Sequence, residues 1–277
     1  CLLIPRFKNG TLHPMCTLVI LHRPRHHWPL LLAANRDEMI TRAWKAPARH
    51  WPDRPTIIGG LDHEAGGSWL GLNDYGVVSG VLNRTGTLGP AKNKRTRGEL
   101  VLEALEHADA KIAAEALSRI DGRSYRPFNM LIADNRDAYW LAHRDDQNFS
   151  LVAVHAIPSG ISMLTSHDLN DETSPRIRTF LPRFSKSSEP DPDANEWSEW
   201  KELLACRFHA KNDDPTEAMN IVTDFGFGTS SRSLIALPAL AKKNKLPIWN
   251  FASGYPSCGD YWPISLEPES ASKQSTV

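Results

Sequence analysis

Two apolar runs joined by a short polar link are the feature of this sequence that most constrains its fold. The first run begins with Met15-Cys16, and the second, residues 30–34, continues directly into the polar string Asn35-Arg36-Asp37-Glu38. The link, residues 22–29, is rich in proline and histidine, which favours a hairpin connection between two strands. Because the polar string ends an apolar strand, we expect it to be exposed at the mouth of this β-hairpin.

The Met15-Cys16 pair gives the first strand a chemical interpretation. Methionine aminopeptidase removes methionine before a small residue, so a chain started at Met15 carries Cys16 as its free N-terminus. The α-amine of such a cysteine has a pKa of about 7.7–8.0 and can take the proton from its own thiol. A positive neighbour lowers the pKa of a thiol, and Arg36 is a candidate for that neighbour. The alternative is that Cys16 is only a small buried hydrophobe.

Four motifs follow one another in a specific order along the chain. They are Met15-Cys16-Thr17, Ala34-Asn35-Arg36-Asp37-Glu38, Gly66-Gly67-Ser68-Trp69-Leu70-Gly71 and Val81-Leu82-Asn83-Arg84-Thr85-Gly86. This set resembles the NRDE family, also called the transport and Golgi organisation family, over about residues 15–252. The resemblance implies an N-terminal nucleophile hydrolase-like protein of the α+β class, a four-layer αββα sandwich of two antiparallel sheets. The pattern of hairpins and helices alone predicts only mixed α and β structure.

The resemblance also implies roles for the polar string. In the choloylglycine and penicillin acylases, to which this family is similar, an arginine and an aspartate on the second strand hold the cysteine. We expect Asp37 to orient the α-amine of Cys16, Arg36 to steady the thiolate or the substrate, and Asn35 to contact the substrate. Since successive strand residues face opposite ways, only Asn35 with Asp37, or Arg36 with Glu38, faces Cys16 directly. The alternative is a salt-bridged rim of the hairpin, which we prefer for Glu38.

Asn83 is the candidate for stabilising the oxyanion of a tetrahedral intermediate. It follows a strand predicted over residues 77–82, and its spacing from Gly76 and Gly80 is similar to an arrangement in the acylases, where the asparagine is an oxyanion donor. Loss of one such donor costs about 3 kcal/mol in other hydrolases. The alternative role is an asparagine that caps a turn.

Three further residues are expected to bind substrate. Ser166 and His167 follow a predicted strand where the related acylases present another oxyanion asparagine, and His167 either replaces that donor or lies in a turn. Arg232 is two residues beyond the arginine of a Gly-Thr-Arg-Ser motif in eukaryotic relatives, and a shift of two residues preserves the face of a strand. His167-Asp168 resembles a metal-binding dipeptide, but no further ligands at matching spacing accompany it. We therefore expect no metal and no cofactor.

Local patterns predict five helices, which begin near Thr96, Asp109, Ser174, Trp197 and Asp214. The first has the spacing of a capping box, in which Thr96 and Glu99 would each satisfy a backbone amide. Residues 41–55 contain three prolines and predict coil instead of a strand.

Composition limits the number of domains, the partners and the compartment. At 277 residues the chain suits one large domain, which we place at 16–263, with residues 1–15 as a leader, propeptide or mis-assigned start and 264–277 as a disordered tail. Lys+Arg and Asp+Glu both number 32, so no basic field favours nucleic acid. The apolar runs are too short to span a membrane. Four cysteines without CxxC spacing favour a reduced, cytoplasmic protein.

These features predict a hydrolase that cleaves an amide or related acyl bond of a small molecule through a thioester at Cys16. The alternative comes from a different class of protein: a carrier or chaperone of haem, lipid or another small hydrophobic ligand, which uses the same pocket without catalysis. The resemblance supplies this alternative, since members of the family are implicated in haem handling and lipid metabolism. A ligand that co-purifies and survives Cys16→Ala would indicate the carrier.

Overall fold

The structure, a computed structural model, describes residues 16–144, 151–208, 217–241, 245–255 and 259–267. In chain order its strands are β1 (Thr17–His22), β2 (Leu30–Met39), β3 (Trp44–Ala48), β4 (Ile57–Asp62), β5 (Leu70–Asn73), β6 (Val78–Asn83), β7 (Phe128–Ala133), β8 (Ala138–His143), β9 (Ala153–Ala156), β10 (Gly160–Leu164), β11 (Phe227–Leu237), β12 (Ile248–Ser253) and β13 (Trp262–Pro263). Its helices are α1 (Gly98–Leu105), α2 (Ala110–Ser118), α3 (Pro175–Lys186) and α4 (Ser198–Ala205). The leader expected at 1–15 and the helix expected from Asp214 lie outside the described residues.

The strands form two antiparallel sheets. One sheet has the order β10-β1-β2-β11-β12-β13, and the other runs in chain order from β3 to β9. β1 and β2 form the predicted hairpin, in which Thr17 lies opposite Asn35 and His22 opposite Leu30. β2 pairs along its other edge with β11. The hairpin therefore lies in the middle of its sheet, with β10 and β11 on its two sides.

Alternation along the hairpin strands sorts their side chains into two layers of core. Leu18 and Ile20 face the second sheet and form the core between the sheets. Val19 and Leu21 face the opposite way and pack in a core that includes residues of α3 and α4. On the outer face of the second sheet, α1 and α2 build a third cluster with β7. These four layers confirm the αββα sandwich of the α+β class.

Capping residues begin two helices where the sequence predicts. The Asp109 side chain accepts hydrogen bonds from the backbone amides of Lys111 and Ile112 at the start of α2. Ser174 caps α3, and Pro175 occupies its first turn. Proline is tolerated there because a backbone amide in the first turn has no hydrogen-bond partner within the helix. Among the described residues, every helix is too short or too polar to cross a lipid bilayer.

The capping box predicted for α1 does not form. The Thr96 hydroxyl accepts a hydrogen bond from the Gly98 amide at 3.3 Å, and Arg97 is the residue that precedes the helix. The Glu99 carboxylate instead accepts a hydrogen bond from the Tyr125 hydroxyl at 2.6 Å and pairs with Arg95. A tertiary partner has replaced the local one, which a pattern of spacing does not reveal.

Two segments are more ordered than the sequence predicts. Residues 44–48 form the edge strand β3, where Pro47 is tolerated because the pairing with β4 shifts register there. Residues 264–267, which we placed in a disordered tail, pack on the sandwich. The Ile264 amide donates to the Trp249 carbonyl at 2.8 Å, and Ile264 and Leu266 contact the core between the sheets.

Candidate active site

Cys16 lies directly before β1, between two strands that carry polar side chains. If the pairing of β1 with β2 is extended by one residue, Arg36 lies opposite Cys16. If the pairing with β10 is extended, Ser166 lies opposite Cys16 on the other side. Cys16 packs against the core between the sheets, on the same face as Leu18. The chain thus brings the candidate nucleophile next to two other predicted site residues.

A small cavity lies at the Cys16 thiol. Its volume is about 20 Å³, which suits roughly one water molecule. Its lining includes Cys16, Arg36, Trp69, Leu82 and Ser231. The cavity therefore lies between the two sheets, with contributions from β2, β6 and β11.

The polar string of β2 is buried and not exposed at the mouth of the hairpin. Asn35, Arg36 and Asp37 are only 2%, 5% and 3% exposed. β2 continues to Met39, and β11 covers its edge along this whole stretch, which explains the burial. Our expectation of exposure was wrong, because it treated the polar residues as the end of the strand.

Arg36 points to the face of β2 that Cys16 shares. Its guanidinium stacks 4.4 Å from the centre of the Trp69 ring and donates to the Ser230 hydroxyl at 3.0 Å. Glu38 and Asp62 each place a carboxylate oxygen 3.6 Å from the same guanidinium. These contacts fix the direction of a cation next to the thiol. They also place Glu38 in an ion-pair network, the role we preferred for it.

Asp37 meets the thiol through its backbone. The Asp37 amide donates to the Cys16 sulfur at 3.4 Å, and the sulfur lies 3.6 Å from the Asp37 carbonyl oxygen. The carboxylate lies on the helix-facing side of β2, where it accepts hydrogen bonds from Arg176 at 2.9 Å and Thr229 at 2.6 Å. The same Arg176 nitrogen donates to the Thr17 hydroxyl at 2.7 Å. Asp37 therefore ties the first residue of β1, next to Cys16, to α3 and β11.

Burial raises the pKa of the Cys16 thiol to about 12, and the negative charge of Asp37 adds to the rise. The hydrogen bond from the Asp37 backbone and the positive charge of Arg36 act in the opposite direction but are outweighed. With a residue before Cys16, burial therefore outweighs the neighbouring cation. The expectation of a more acidic thiol concerns a chain that begins at Cys16, and it stays a prediction.

Asn35 and Arg232 face away from the Cys16 thiol. The Asn35 amide donates to the carbonyls of Leu204 and Met219 at 3.0 and 2.7 Å, on the helix-facing side of β2. Arg232 pairs with Asn35 in register and lies over the Tyr261 ring, 5.6 Å from its centre. The pairing of β11 with β2 shifts between Thr229 and Ser231, so counting by two does not preserve the face here. The prediction that a shift of two residues keeps the same face of the strand is therefore wrong for Arg232.

Asn83, Ser166 and His167 lie at neighbouring strand ends. Asn83 ends β6, directly after Leu82 of the cavity lining. Two residues later, the Thr85 hydroxyl lies 3.1 Å from the Ser166 hydroxyl, which is also 3.3 Å from the His167 ring nitrogen Nδ1. Across the described ranges, the Asn83 side chain has no hydrogen-bond partner. Its amide is therefore available to a ligand.

A buried asparagine on β7 joins the two sheets beside these residues. Asn129 donates to the carbonyls of Thr165 and His167 at 2.8 and 2.6 Å. Its own oxygen accepts from Arg84 at 2.6 Å and from the Trp140 ring nitrogen at 3.1 Å. Both donors and the acceptor of the side chain are used, so Asn129 fixes the Ser166-His167 turn against β7.

Arg176, Trp69 and Asn129 contribute contacts around the site that we did not predict from the sequence. One feature of the sequence could have indicated that Arg176 is buried. It lies four residues before Phe180 on the apolar face of α3, where a charged residue is unusual. Trp69 lies inside a recognised motif, but no pattern indicated that its ring would cover Arg36. Asn129 lies within an otherwise apolar strand, which is the signal of a buried polar group that needs partners. Among the described residues, no group of three or more His, Cys, Asp or Glu side chains is arranged to hold a metal ion.

Solved structures share this fold. An N-acylethanolamine-hydrolyzing acid amidase orthologue from Caenorhabditis elegans aligns with a TM-score of 0.55 and 14% identity, covering 82% of this chain and 94% of that one. Penicillin V acylase from Agrobacterium tumefaciens aligns with a TM-score of 0.55 and 13% identity, covering 90% and 86%. At these identities the likeness concerns the fold, which is that of the N-terminal nucleophile hydrolases.

Sequence comparison adds the family. The Transport and Golgi organization protein 2 homologue of Bos taurus is 33% identical over 129 residues, which are 43% of this chain and 45% of that protein. The match thus spans less than half the length of this relative. The sequence model of Transport and Golgi organisation 2 matches residues 15–237, from the residue before Cys16 to the end of β11. Because this match covers most of the chain and confirms the NRDE resemblance, the chain belongs to the Transport and Golgi organisation 2 family.

Proposed function

We propose that this protein hydrolyses an amide or related acyl bond of a small molecule, with Cys16 as the nucleophile. The observation that carries the proposal is the position of the Cys16 thiol, which lies in a cavity beside Arg36 at the start of β1. The N-terminal nucleophile hydrolase fold, shared with two amide-cleaving enzymes, supports it. The proposed site also includes Asn83 and the Ser166-His167 turn.

In the proposed reaction the Cys16 thiol gives its proton to the Cys16 α-amine, and the sulfur attacks the carbonyl carbon. The Asn83 amide donates to the oxyanion that forms, and Arg36 stabilises negative charge at the sulfur or oxygen. When the intermediate collapses, the C–N bond breaks and the leaving amine takes the proton from the α-ammonium. Water then hydrolyses the thioester, with the α-amine as base, and regenerates the thiol.

This reaction requires Cys16 to be the first residue of the mature chain. With a peptide bond before it, the thiol has a pKa of about 12 and no adjacent amine to accept its proton. A free α-amine supplies the base at covalent distance from the sulfur. A thiol that must remain reduced also favours a reducing compartment, and we propose the cytoplasm.

The carrier alternative finds less support in the geometry. The cavity at Cys16 has a volume of about 20 Å³, whereas pockets for ligands of drug size are about 300–1,000 Å³. A haem or lipid would have to displace Trp69 and with it the contact on Arg36. In the proposed reaction only the reacting carbonyl of the amide has to enter this cavity.

The test compares two forms of the protein on a panel of N-acyl amides of different acyl length. One form begins at Cys16, and the other retains residues 1–15 with Met15→Ala and an N-terminal affinity tag, which verifies that it has not been cleaved. We expect amine release only from the form that begins at Cys16.

Two variants control this experiment. Cys16→Ala should abolish amine release, and Cys206→Ala, which removes the thiol at the end of α4, should leave it unchanged. Equal rates from the two chain forms, or full activity of Cys16→Ala, would overturn the proposal.

A further inference from the structure

Two arginines near Cys16 are held by backbone carbonyls instead of carboxylates. Arg97 donates through one guanidinium nitrogen to the carbonyls of Thr87 and Pro127, each at 3.0 Å. Arg126 donates to the carbonyls of Gly86 and Leu88 at 3.1 and 2.6 Å. Within the described parts of the chain, neither guanidinium forms an ion pair. Both are partly exposed.

The surrounding segment has an excess of positive charge. Residues 84–98 contain five basic residues and no acidic one. Arg84 pairs with Asp168, and Arg95 pairs with Glu99. Arg97 and Arg126 are left without such partners, although they lie close enough to repel one another electrostatically. Two neighbouring cations that are held by carbonyls and lack a carboxylate partner are suited to bind an anion.

Arg97 lies next to elements that line the cavity of Cys16, and Arg126 binds the same 86–88 loop as Arg97. Arg97 precedes α1, and the carbonyl of the next residue, Gly98, accepts a hydrogen bond from the Ser68 amide at 3.1 Å. Ser68 is followed by Trp69, which lines the cavity and covers Arg36. On its other side, Arg97 contacts Pro127, next to the residue that pairs with Asn83. Arg97 therefore lies between two elements of the proposed active site.

Electrostatics agree with this placement. Burial lowers the pKa of Arg97 to about 10, and the charge of Arg126 lowers it further, whereas Cys16 and Glu38 oppose the shift. An anion bound between the two arginines would relieve their repulsion. A guanidinium group keeps its charge across the physiological pH range, so a preference for an anion would hold throughout it.

We infer that Arg97 and Arg126 form a subsite for an anionic group of the substrate, a carboxylate or a phosphate, next to the scissile bond. This inference rests on the proposed function and specifies its substrate class: an acylated amine that carries a negative charge. The acyl carbonyl would enter the Cys16 cavity, and the anion would be held at the start of α1. The uncharged relative of such a substrate would lack this interaction.

Binding of a matched pair of probes tests the inference. N-benzoylglycine carries a carboxylate, and N-benzoylglycinamide is its neutral counterpart. Dissociation constants are measured by calorimetry with protein that begins at residue 16 and carries Cys16→Ala, in which hydrolysis plays no part. We expect N-benzoylglycine to bind at least about tenfold more tightly than the neutral probe, because a charge-assisted hydrogen bond is lost with the charge. Inorganic phosphate and acetate, added as competitors, show whether phosphate or carboxylate is preferred.

Arginine variants locate the effect. Arg97→Gln and Arg126→Gln should each reduce the preference for N-benzoylglycine severalfold and leave binding of the neutral probe within about twofold. Arg97→Lys keeps the charge and should retain part of the preference. Arg123→Gln is the matched control, since Arg123 is exposed and paired with Asp121. Thermal melting of every variant confirms that it is folded, and if Arg97→Gln does not fold, Arg126→Gln decides.

Hydrolysis of the same two probes by wild-type protein separates this inference from the proposed function. A preference for the anion that depends on Arg97 or Arg126 supports the subsite, even if neither probe is cleaved. Equal binding of the two probes, or a preference that survives both glutamine variants, overturns the subsite. In that case cleavage that depends on Cys16 would still support the hydrolase.

Discussion

At the scale of single residues, the site depends on how two charged side chains of β2 are divided between its faces. Arg36 lies beside the thiol, and Asp37 lies on the helix-facing side, with Arg176 as its partner. Strand alternation predicted that Arg36 and Asp37 would lie on opposite faces of β2, but it did not predict which of them faced Cys16. The partner of Asp37 is 139 residues away in the chain, and a local pattern carries no information about such a contact.

The first prediction concerns the reactivity of Cys16 toward iodoacetamide. In a chain that retains residues 1–15, the thiol pKa is raised to about 12, so the protonated form dominates at pH 7. Alkylation, which requires the thiolate, should be slow at pH 7 and rise about tenfold per pH unit well below the pKa. The rate is read by mass spectrometry of peptides. In the chain that begins at Cys16, the α-ammonium should make alkylation faster at pH 7, and a slower or equal rate would contradict the assigned role of the amine.

The second prediction concerns the buried pair of Asp37 and Arg176, whose side chains are both 0% exposed. Asp37→Asn removes the charge that compensates Arg176 and should lower the free energy of unfolding by about 3–5 kcal/mol. Urea denaturation measures the loss. The neighbouring change Glu38→Gln affects a partly exposed ion pair and should cost at most about 1 kcal/mol. Similar losses in the free energy of unfolding for Asp37→Asn and Glu38→Gln would contradict the assignment of Asp37 and Arg176 as a buried ion pair.

The third prediction separates two roles for Asn83. Its amide has no partner in the described chain, so Asn83→Ala should change stability by less than about 0.5 kcal/mol. As an oxyanion donor it should lower kcat about 10²–10³-fold with KM nearly unchanged. The measurements are the melting temperature and the turnover of one variant.

Asn73 is the matched control for this experiment. It is a buried turn asparagine that donates to the carbonyls of Leu105 and His107 and accepts from the amide of Val77. Asn73→Ala should lower stability and leave kcat intact in the protein that remains folded. If Asn83→Ala behaves in the same way, Asn83 caps a turn and takes no part in catalysis.

At the scale of elements, β11 determines where Arg36 points. An irregularity at Ser230 lets its hydroxyl meet both the guanidinium and the carbonyl of Arg36, at 3.0 and 3.1 Å. The amide of Gly254, after β12, donates to the Ser230 carbonyl at 2.8 Å and supports this local departure from regular pairing. Such irregularities direct side chains at sites where a regular strand would point them elsewhere.

The fourth prediction tests this support at Gly254. A Cβ at this position would lie 1.9 Å from the Thr229 carbonyl oxygen, so the backbone of β11 must move. Gly254→Ala should cost about 1–3 kcal/mol in the free energy of unfolding and should lower activity by displacing Ser230 and Arg36. Gly259→Ala is the control, since among the described residues its Cβ would approach the Ser253 hydroxyl, a side-chain atom, and no backbone atom. Equal stability of the two variants would contradict the account of β11.

Elements with their own local signals were predicted well, and those defined by distant contacts were not. The β1–β2 hairpin and the helices that begin at Asp109 and Ser174 follow from apolar periodicity and capping residues. The strand β3 was missed because its proline, Pro47, is tolerated only at a sheet edge, which the sequence does not identify. The shift in β11 was missed because pairing with β2 creates it, and this shift places Arg232 on the face opposite to the one predicted.

At the scale of the whole molecule, the proposed site lies between the two sheets. Cys16 and Arg36 come from the first sheet, and Asn83 comes from the second. Asn129 and the ion pair of Arg84 with Asp168 connect the sheets next to the Ser166-His167 turn. The packing of the sandwich thus positions groups that are far apart in sequence. The layer order was predictable only through the family resemblance, since periodicity gave the elements without their arrangement.

The central claim is that Cys16, as the first residue, carries the acyl group during turnover. The most direct measurement is mass spectrometry of protein that begins at Cys16, quenched in acid during reaction with an N-acyl amide that it cleaves and followed by peptide mapping. The account predicts an acyl adduct on Cys16 that hydroxylamine removes, as expected for a thioester, and that Cys16→Ala lacks. Amide cleavage with no adduct at Cys16, or an adduct that persists in Cys16→Ala, would contradict it.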